Sequence, residues 1–156
     1  MELLEGIVNP WYESLKNPAE SQQNTLSDLL KQYEKTQYGQ NLGADTIQSP
    51  EEFRNRFPTL DYKGLTPYLE TVKTHDYRII LPEPPLTWVM TRGSTGKAKI
   101  LPATKTHLEL IFSCGARAFV NYVIKKNDTE MLTGRILNLN FPSVVATLDS
   151  SGQTLT

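Results

Sequence analysis

Residues 88–104 read WVMTRGSTGKAKILPAT, and the way this stretch is read decides the fold. An apolar run is followed by hydroxyl, glycine and lysine residues, then by a second short apolar run that contains Pro102. If both runs are strands, the segment between them is either a polar hairpin turn with glycine at its corners or a cradle for phosphate. A cradle needs backbone N–H groups turned inward, which glycine permits, and hydroxyls or a cation to complete the contacts. Gly93-Ser94-Thr95-Gly96 provides that backbone and two hydroxyls. Lys97 and Lys99 add positive charge, and their spacing puts them on one side of an extended chain. Two standard nucleotide loops are excluded. A P-loop would need glycine at Thr91 and a hydroxyl residue at Ala98, and Gly93 and Gly96 have no third glycine in the register of a dinucleotide fingerprint. The hairpin and the cradle both stay open on the residues alone.

Working outward, YRIIL (77–81) is short and rich in β-branched and aromatic residues, which predicts a strand. PEPP (82–85) interrupts regular structure and leads to a second strand, LTWVMT (86–91). KILPAT (99–104) predicts a third, with Pro102 holding it at an edge or an end. From Lys105 to Lys125 the period turns helical, with Leu108, Ile111, Phe112, Gly115, Phe119, Val120, Val123 and Ile124 on one face. GRILNLNFPS (134–143) and VVATL (144–148) read as two more strands.

Upstream, Leu26, Leu29, Leu30 and Tyr33 form one apolar stripe and predict a helix from Thr25 to Lys35, with Gly39 suited to a chain reversal after it. Ser49, Pro50 and Glu52 make a compact helix-start signal: N-cap, first-turn proline and capping box. Pro58 ends that helix. A further helix is expected from Thr66 to Thr74, with Pro67 in its first turn. Helices first, then strand–loop–strand–helix–strand, give an α/β fold: a helical N-terminal layer followed by a mixed β-sheet.

Composition narrows the function classes. The 156 residues suffice for one domain spanning 1–156. A net charge of -1 gives no field for nucleic acid or an anionic membrane, and no run approaches the ~20 apolar residues of a membrane span. The N-terminus has no basic region before its apolar residues, so a secretory signal is not expected and a reducing cytoplasm is. Cys114 is the single cysteine, which rules out an internal disulfide, and its apolar neighbours predict burial. His75 and His107 have no acid or cysteine at ligand spacing, so no metal site is expected, and both read as surface or capping residues. Asp45, Glu51, Glu52, Asp61 and Glu70 read as caps and solvated faces, and Trp11, Tyr12 and Trp88 as core or interface anchors. Ser94 and Ser113 lack a nucleophile elbow. The C-terminal DSSGQTLT reads either as a frayed end or as the point where a longer chain is cut.

TRGSTGKAK (91–99) resembles T-S-G-T-T-G-x-P-K, the phosphate-binding loop of acyl-adenylate-forming enzymes. With KILPAT behind it and FRNRFPTLDYKGLTPYLE (53–70) before it, the chain is similar to the auxin-responsive Gretchen Hagen family of acyl acid–amido synthetases. The phenylacetate–CoA ligase branch is the nearest competitor. The landmarks are Tyr38-Gly39, Phe53, Pro58, Tyr62 and Pro67-Tyr68, and the resemblance covers most of residues 22–145. It implies ATP and Mg2+ as cofactors and a small carboxylic acid as substrate. It also implies acyl-adenylate formation followed by transfer to an amine or thiol. It makes Thr91, Arg92, Gly93, Ser94, Thr95, Gly96, Lys97 and Lys99 the nucleotide-binding residues, with Lys99 the catalytic candidate that meets β/γ-phosphate charge. Arg92 stands where the family has serine, and Ala98 where it has proline. The arginine either adds a phosphate contact or blocks the site by pairing with a carboxylate. The resemblance further implies that the adenine, ribose and late-lysine contacts lie in downstream segments. This chain is then the N-terminal part of a longer adenylating enzyme, inactive alone; a non-catalytic binding or assembly domain of the same fold is the alternative.

Overall fold

The structure, a computed structural model, describes residues 2–74, 76–91 and 98–135, together with the backbone of two short strands at 146–148 and 153–155. It divides into two compact units, Met1–Gln22 with Thr106–Phe141, and Gln23–Lys105 with Pro142–Thr156. No described helix is long and apolar enough to cross a membrane.

The first unit contains α1 (Glu2–Lys16), the start of α2 (Pro18–Tyr33) and nearly all of α6 (Lys105–Lys126). Leu4, Val8 and Trp11 recur at helical spacing on α1, and Val8 is buried. Pro10 lies inside this helix, where it forfeits one main-chain bond. Tyr12 Oη donates to Asn121 Oδ1 at 2.7 Å, and the Arg117 guanidinium lies 5.5 Å from the Trp11 ring centroid. These contacts join α1 to the C-terminal half of α6, where Val120 and Val123 are buried. The expected apolar face of α6 is therefore buried only in part. Ile111 and Phe112 are 53% and 73% exposed, because the buried residues of this helix, Val120 and Val123, begin about two turns beyond them. Cys114 is also exposed, against expectation, and takes a bond from Arg117 Nη2 at 2.6 Å. A Schellman motif ends α6: Asn127 adopts φ 51°, its N–H reaches Ile124 O, and Asp128 N–H reaches Val123 O.

The second unit holds the remaining helices and the sheet. The helix expected from Thr25 starts at Pro18, where Asn17 Nδ2 donates to Glu20 Oε2 at 2.6 Å. This Asn-Pro-x-Glu start has the same composition as the Ser-Pro-x-Glu start downstream. On α2, Leu30 is buried and clusters with Ala44 and Ile47, with Leu26, Tyr33, Phe53 and Phe57 packed around them, while Leu29 stays exposed. Gly39 does not reverse the chain; it lies inside α3 (Gln37–Asn41), which Thr36 caps by accepting from Gly39 N–H at 3.0 Å. The reason for glycine is contact, since a Cβ there would stand 2.0 Å from the Tyr33 carbonyl oxygen.

Ser49 caps α4 (Pro50–Arg56) through Glu52 N–H, as expected. Glu52 Oε2, however, accepts from Gln48 N–H rather than from the cap residue itself. α5 runs Tyr62–Lys73, four residues longer at its start than expected. Asp61 Oδ1 accepts from Gly64 N–H at 2.7 Å and sets that start, which leaves Pro67 inside the helix. YRIIL does not form a strand: Tyr77–Ile79 is a 3₁₀ turn. Its apolar residues are spent on packing, since Tyr77, Ile79, Ile80 and Leu81 surround the buried pair Val72 and Trp88.

β1 (Pro85–Met90) and β2 (Ile100–Thr104) pair antiparallel, with β3 (Ala146–Leu148) and β4 (Gln153–Leu155) completing the order β2-β1-β4-β3. β1 and β4 are parallel, so the sheet is mixed. Pro102 sits on edge strand β2 opposite Trp88, at a register position where strand N–H groups face outward, so its missing donor breaks no ladder bond. Residues 136–145, which carry most of the expected strand over 134–143, and His75 lie outside the described residues. His107 is exposed on α6, as expected.

Gly39→Ala is expected to lower the unfolding free energy by about 2–4 kcal/mol, because overpacking against a main-chain carbonyl cannot relax as a side-chain contact can. Urea titration of the variant beside the parent chain measures it; equal midpoints would mean that the helix shifts freely.

Candidate functional site

The site is built where the sheet gives out. Met90 and Ile100 are the last strand residues in register, and Thr91 and Lys99 follow them. Thr91 N–H donates to Lys99 O at 2.8 Å, which continues the ladder by one rung. The return bond differs: Lys99 N–H goes to Thr91 Oγ1 at 3.0 Å, so a side-chain hydroxyl takes the place of the main-chain carbonyl. Thr91 therefore latches β1 to β2 at this end of the pair, one rung beyond the strands.

Of the residues expected to bind nucleotide, the structure brings Thr91 and Lys99 together. Arg92, Gly93, Ser94, Thr95, Gly96 and Lys97 lie outside the described residues.

Below the latch stands Tyr62, the first residue of α5. The alternation of the ladder turns Ile100 N–H and C=O away from β1, toward the open edge of the sheet. Tyr62 Oη accepts from Ile100 N–H at 3.1 Å and donates to Ile100 O at 3.3 Å. One hydroxyl thus satisfies both main-chain groups of the residue after Lys99. The ring of the same tyrosine lies 5.5 Å from Lys99 Nζ. Lys99 is exposed, and no described carboxylate is paired with it. Sequence reasoning took Tyr62 as a landmark and missed this role; an aromatic at the first helical position behind an aspartate cap was the available signal.

Three other landmarks, Tyr38, Phe53 and Tyr68, join Phe57 in an aromatic chain. Phe53 stacks on Phe57 at 4.8 Å, Tyr38 meets Phe57 edge-on at 5.8 Å, and Tyr38 meets Tyr68 edge-on at 5.3 Å. Burial, then the neighbouring phenols Tyr68 and Tyr33, hold the Tyr38 hydroxyl above the ordinary tyrosine value of 10.0. On β1, Trp88 is fully buried and Lys73 Nζ lies 5.8 Å from its ring centroid, while that ammonium also pairs with Glu70 at 2.7 Å. Among the described residues there is no group of three or more His, Cys, Asp or Glu that could hold a metal ion.

Comparison with known proteins gives a consistent picture. The model of the GH3 family N-terminal domain matches residues 9–149. Indole-3-acetic acid-amido synthetase GH3.17 of Arabidopsis thaliana is 30% identical over 101 residues, 62% of this chain and 17% of that protein. Jasmonoyl–L-amino acid synthetase JAR4 of Nicotiana attenuata is 25% identical over 141 residues, 89% of this chain and 24% of that protein. Jasmonoyl–L-amino acid synthetase GH3.3 of Oryza sativa subsp. japonica is 24% identical over 141 residues, 89% and 30% respectively. The chain thus spans less than a third of the length of these relatives. No solved structure matches it.

The raised Tyr38 value carries a pH prediction. The folded chain keeps this proton after an unfolded tyrosine has lost it, so the associated stability is complete below pH 10.0 and falls as pH rises from there through the folded value. Unfolding free energies measured across this alkaline range should fall more steeply for the parent than for Tyr38→Phe. Parallel slopes would show that the phenol titrates alike in both states.

Proposed function

The chain belongs to the GH3 family, and from that premise we propose that it serves ATP-dependent activation of a carboxylic acid. The acid would be converted to an acyl-adenylate with release of pyrophosphate, and the acyl group then passed to an amine or a thiol. The relatives' names, amido synthetases acting on indole-3-acetic acid or forming jasmonoyl–amino acids, support the amine as acceptor. The share of those relatives that the chain spans supports reading it as the N-terminal part of the machinery. Downstream domains of the same protein are then its partners, and it is inactive alone.

The observation that carries the proposal is the latched hairpin neck. The two bonds between Thr91 and Lys99 hold together the residues that flank the expected phosphate-binding segment, and the Lys99 side chain beside them is exposed. In the proposed mechanism the backbone N–H groups of Gly93 and Gly96 and the hydroxyls of Ser94 and Thr95 receive phosphate oxygens. Thr91, Arg92 and Lys97 flank them. Lys99 offsets the charge that accumulates on the departing pyrophosphate, the kind of electrostatic stabilisation that preorganised donors give. The described residues fit such a substrate: Lys99 is exposed and not paired with a described carboxylate. They do not offer Mg2+ a cage of their own, so the ion would arrive with the triphosphate oxygens as ligands, and no step here is assigned to it.

Two measurements test this reading. Isothermal titration of Mg·ATP into the 156-residue chain is expected to show weak binding, reduced about fivefold by Lys99→Ala, as ~1 kcal/mol for an exposed charge contact would give. Unchanged affinity would remove Lys99 from the site. Pyrophosphate exchange by the same chain should be absent, and robust exchange would overturn the claim that further segments are required.

A further inference from the structure

We infer that the bare side of α6 is a self-association surface, on which a second copy of this chain packs its own α6 in the antiparallel sense. Leu108, Phe112, Gly115, Phe119 and Tyr122 follow one another at intervals of four, three, four and three residues, the spacing of a helix–helix seam. All five belong to the first unit. Val120 and Val123 are buried on another side of the helix, and Arg117 and Asn121, on a third, meet Trp11 and Tyr12 of α1. A helix that is apolar beyond its covered side belongs in a larger core than one unit supplies. The seam itself is left open: Phe112 is 73% exposed, Tyr122 47% and the adjoining Ile111 53%, while Leu108 and Phe119 are half-buried. None of these residues is charged, so covering them strips no ion of water.

Gly115 points to another helix as the cover. Glycine inside a helix is less stable than alanine, and the described residues give no reason for it here, since a Cβ at Gly115 meets nothing within 4 Å. What glycine permits is the close approach of a second backbone. A two-fold axis between Ser113 and Cys114 sets Phe112 of each copy over Gly115 of the other, and Leu108 over Phe119, so that large meets small. A parallel pair would instead crowd ring on ring at Phe112 and leave a void at Gly115. With about 150–250 Å² to each aromatic side chain, the open parts of the seam amount to roughly 400–500 Å² per copy, or about 900 Å² for the pair. That area lies at the low end for specific association and corresponds to a weak dimer, with a Kd on the order of 10–100 μM.

Analytical ultracentrifugation of the 156-residue chain, from about 5 μM to about 1 mM, is expected to show a monomer–dimer equilibrium in that range. Phe112→Glu and Gly115→Lys should each raise Kd at least about tenfold, with circular dichroism unchanged because both positions face solvent in the single chain. Mixed in equal amounts, the two variants should associate again. The introduced glutamate then faces the introduced lysine at one contact, and Phe112 keeps its place over Gly115 at the other. A chain that stays monomeric throughout overturns the inference and leaves the face to further segments of a longer protein. Association that survives both substitutions overturns it as well, because another surface then makes the contact. Variants that stay apart when mixed overturn the antiparallel pairing. Should Phe112→Glu fail to fold, Gly115→Lys decides alone: lysine is the better helix former, so association lost there is not lost through the helix.

Discussion

The outward edge of β2 has to be satisfied without another strand, and a single tyrosine hydroxyl meets that constraint here. Ile100 presents its N–H and C=O outward from β2, and Tyr62 Oη takes both. A hydroxyl can do this because it donates once and accepts as well. Much else depends on that bond pair. It docks the start of α5 on the sheet, and it terminates an edge that would otherwise invite pairing with another chain. Behind it, α5 carries Val72 to the buried face of Trp88, so the same helix that closes the edge also supplies core to β1.

The second constraint is the crowding around Tyr33. Its carbonyl receives Thr36 Oγ1 at 2.8 Å and Thr36 N–H at 2.8 Å, and Gly39 passes close above it. Thr36 is completely buried, yet its hydroxyl is satisfied in both directions, donating to Tyr33 and accepting from Gly39. This short polar knot lets α2 end and α3 begin within three residues, and it brings Tyr38 onto Phe57 and Tyr68. The family landmarks are thus packing partners of one another as well as markers along the chain.

Local chemistry made some of this legible in the sequence. Ser49 and Pro50 mark a helix start, Pro102 marks an edge or an end of a strand, and the period from Lys105 onward is helical. The failures have physical causes. YRIIL has strand propensity, but a residue's preference yields to the demand of Trp88 for apolar cover, so the segment coils into a 3₁₀ turn that turns its side chains inward. Pro67 reads as the first turn of a helix from Thr66, while Asp61 supplies a cap that starts α5 at Tyr62 and leaves that proline inside it. The α1 helix was missed because Gly6 and Pro10 obscure its stripe, and Asn17-Pro18 was passed over although it repeats the start signal read correctly at Ser49. Cys114 fell on the exposed half of α6, which no periodicity reveals, since period identifies a face and not how far along a helix its cover extends. For the site, the sequence marked Thr91 and Lys99 by their place in the motif. The ring beneath the lysine depends on a contact between residues far apart in the chain, and such contacts leave no trace in local pattern.

The placement of the two tryptophans has a practical consequence. Trp88 belongs to the second unit and is wholly enclosed beside an ammonium, whereas Trp11 belongs to the first, is partly wetted, and lies next to a guanidinium. The indoles therefore sit in contrasting surroundings, one in each unit. The polypeptide carries its own pair of optical reporters: the blue-edge emission follows the sheet, the red-edge emission follows the terminal helices, and melting of either unit can be watched without a label.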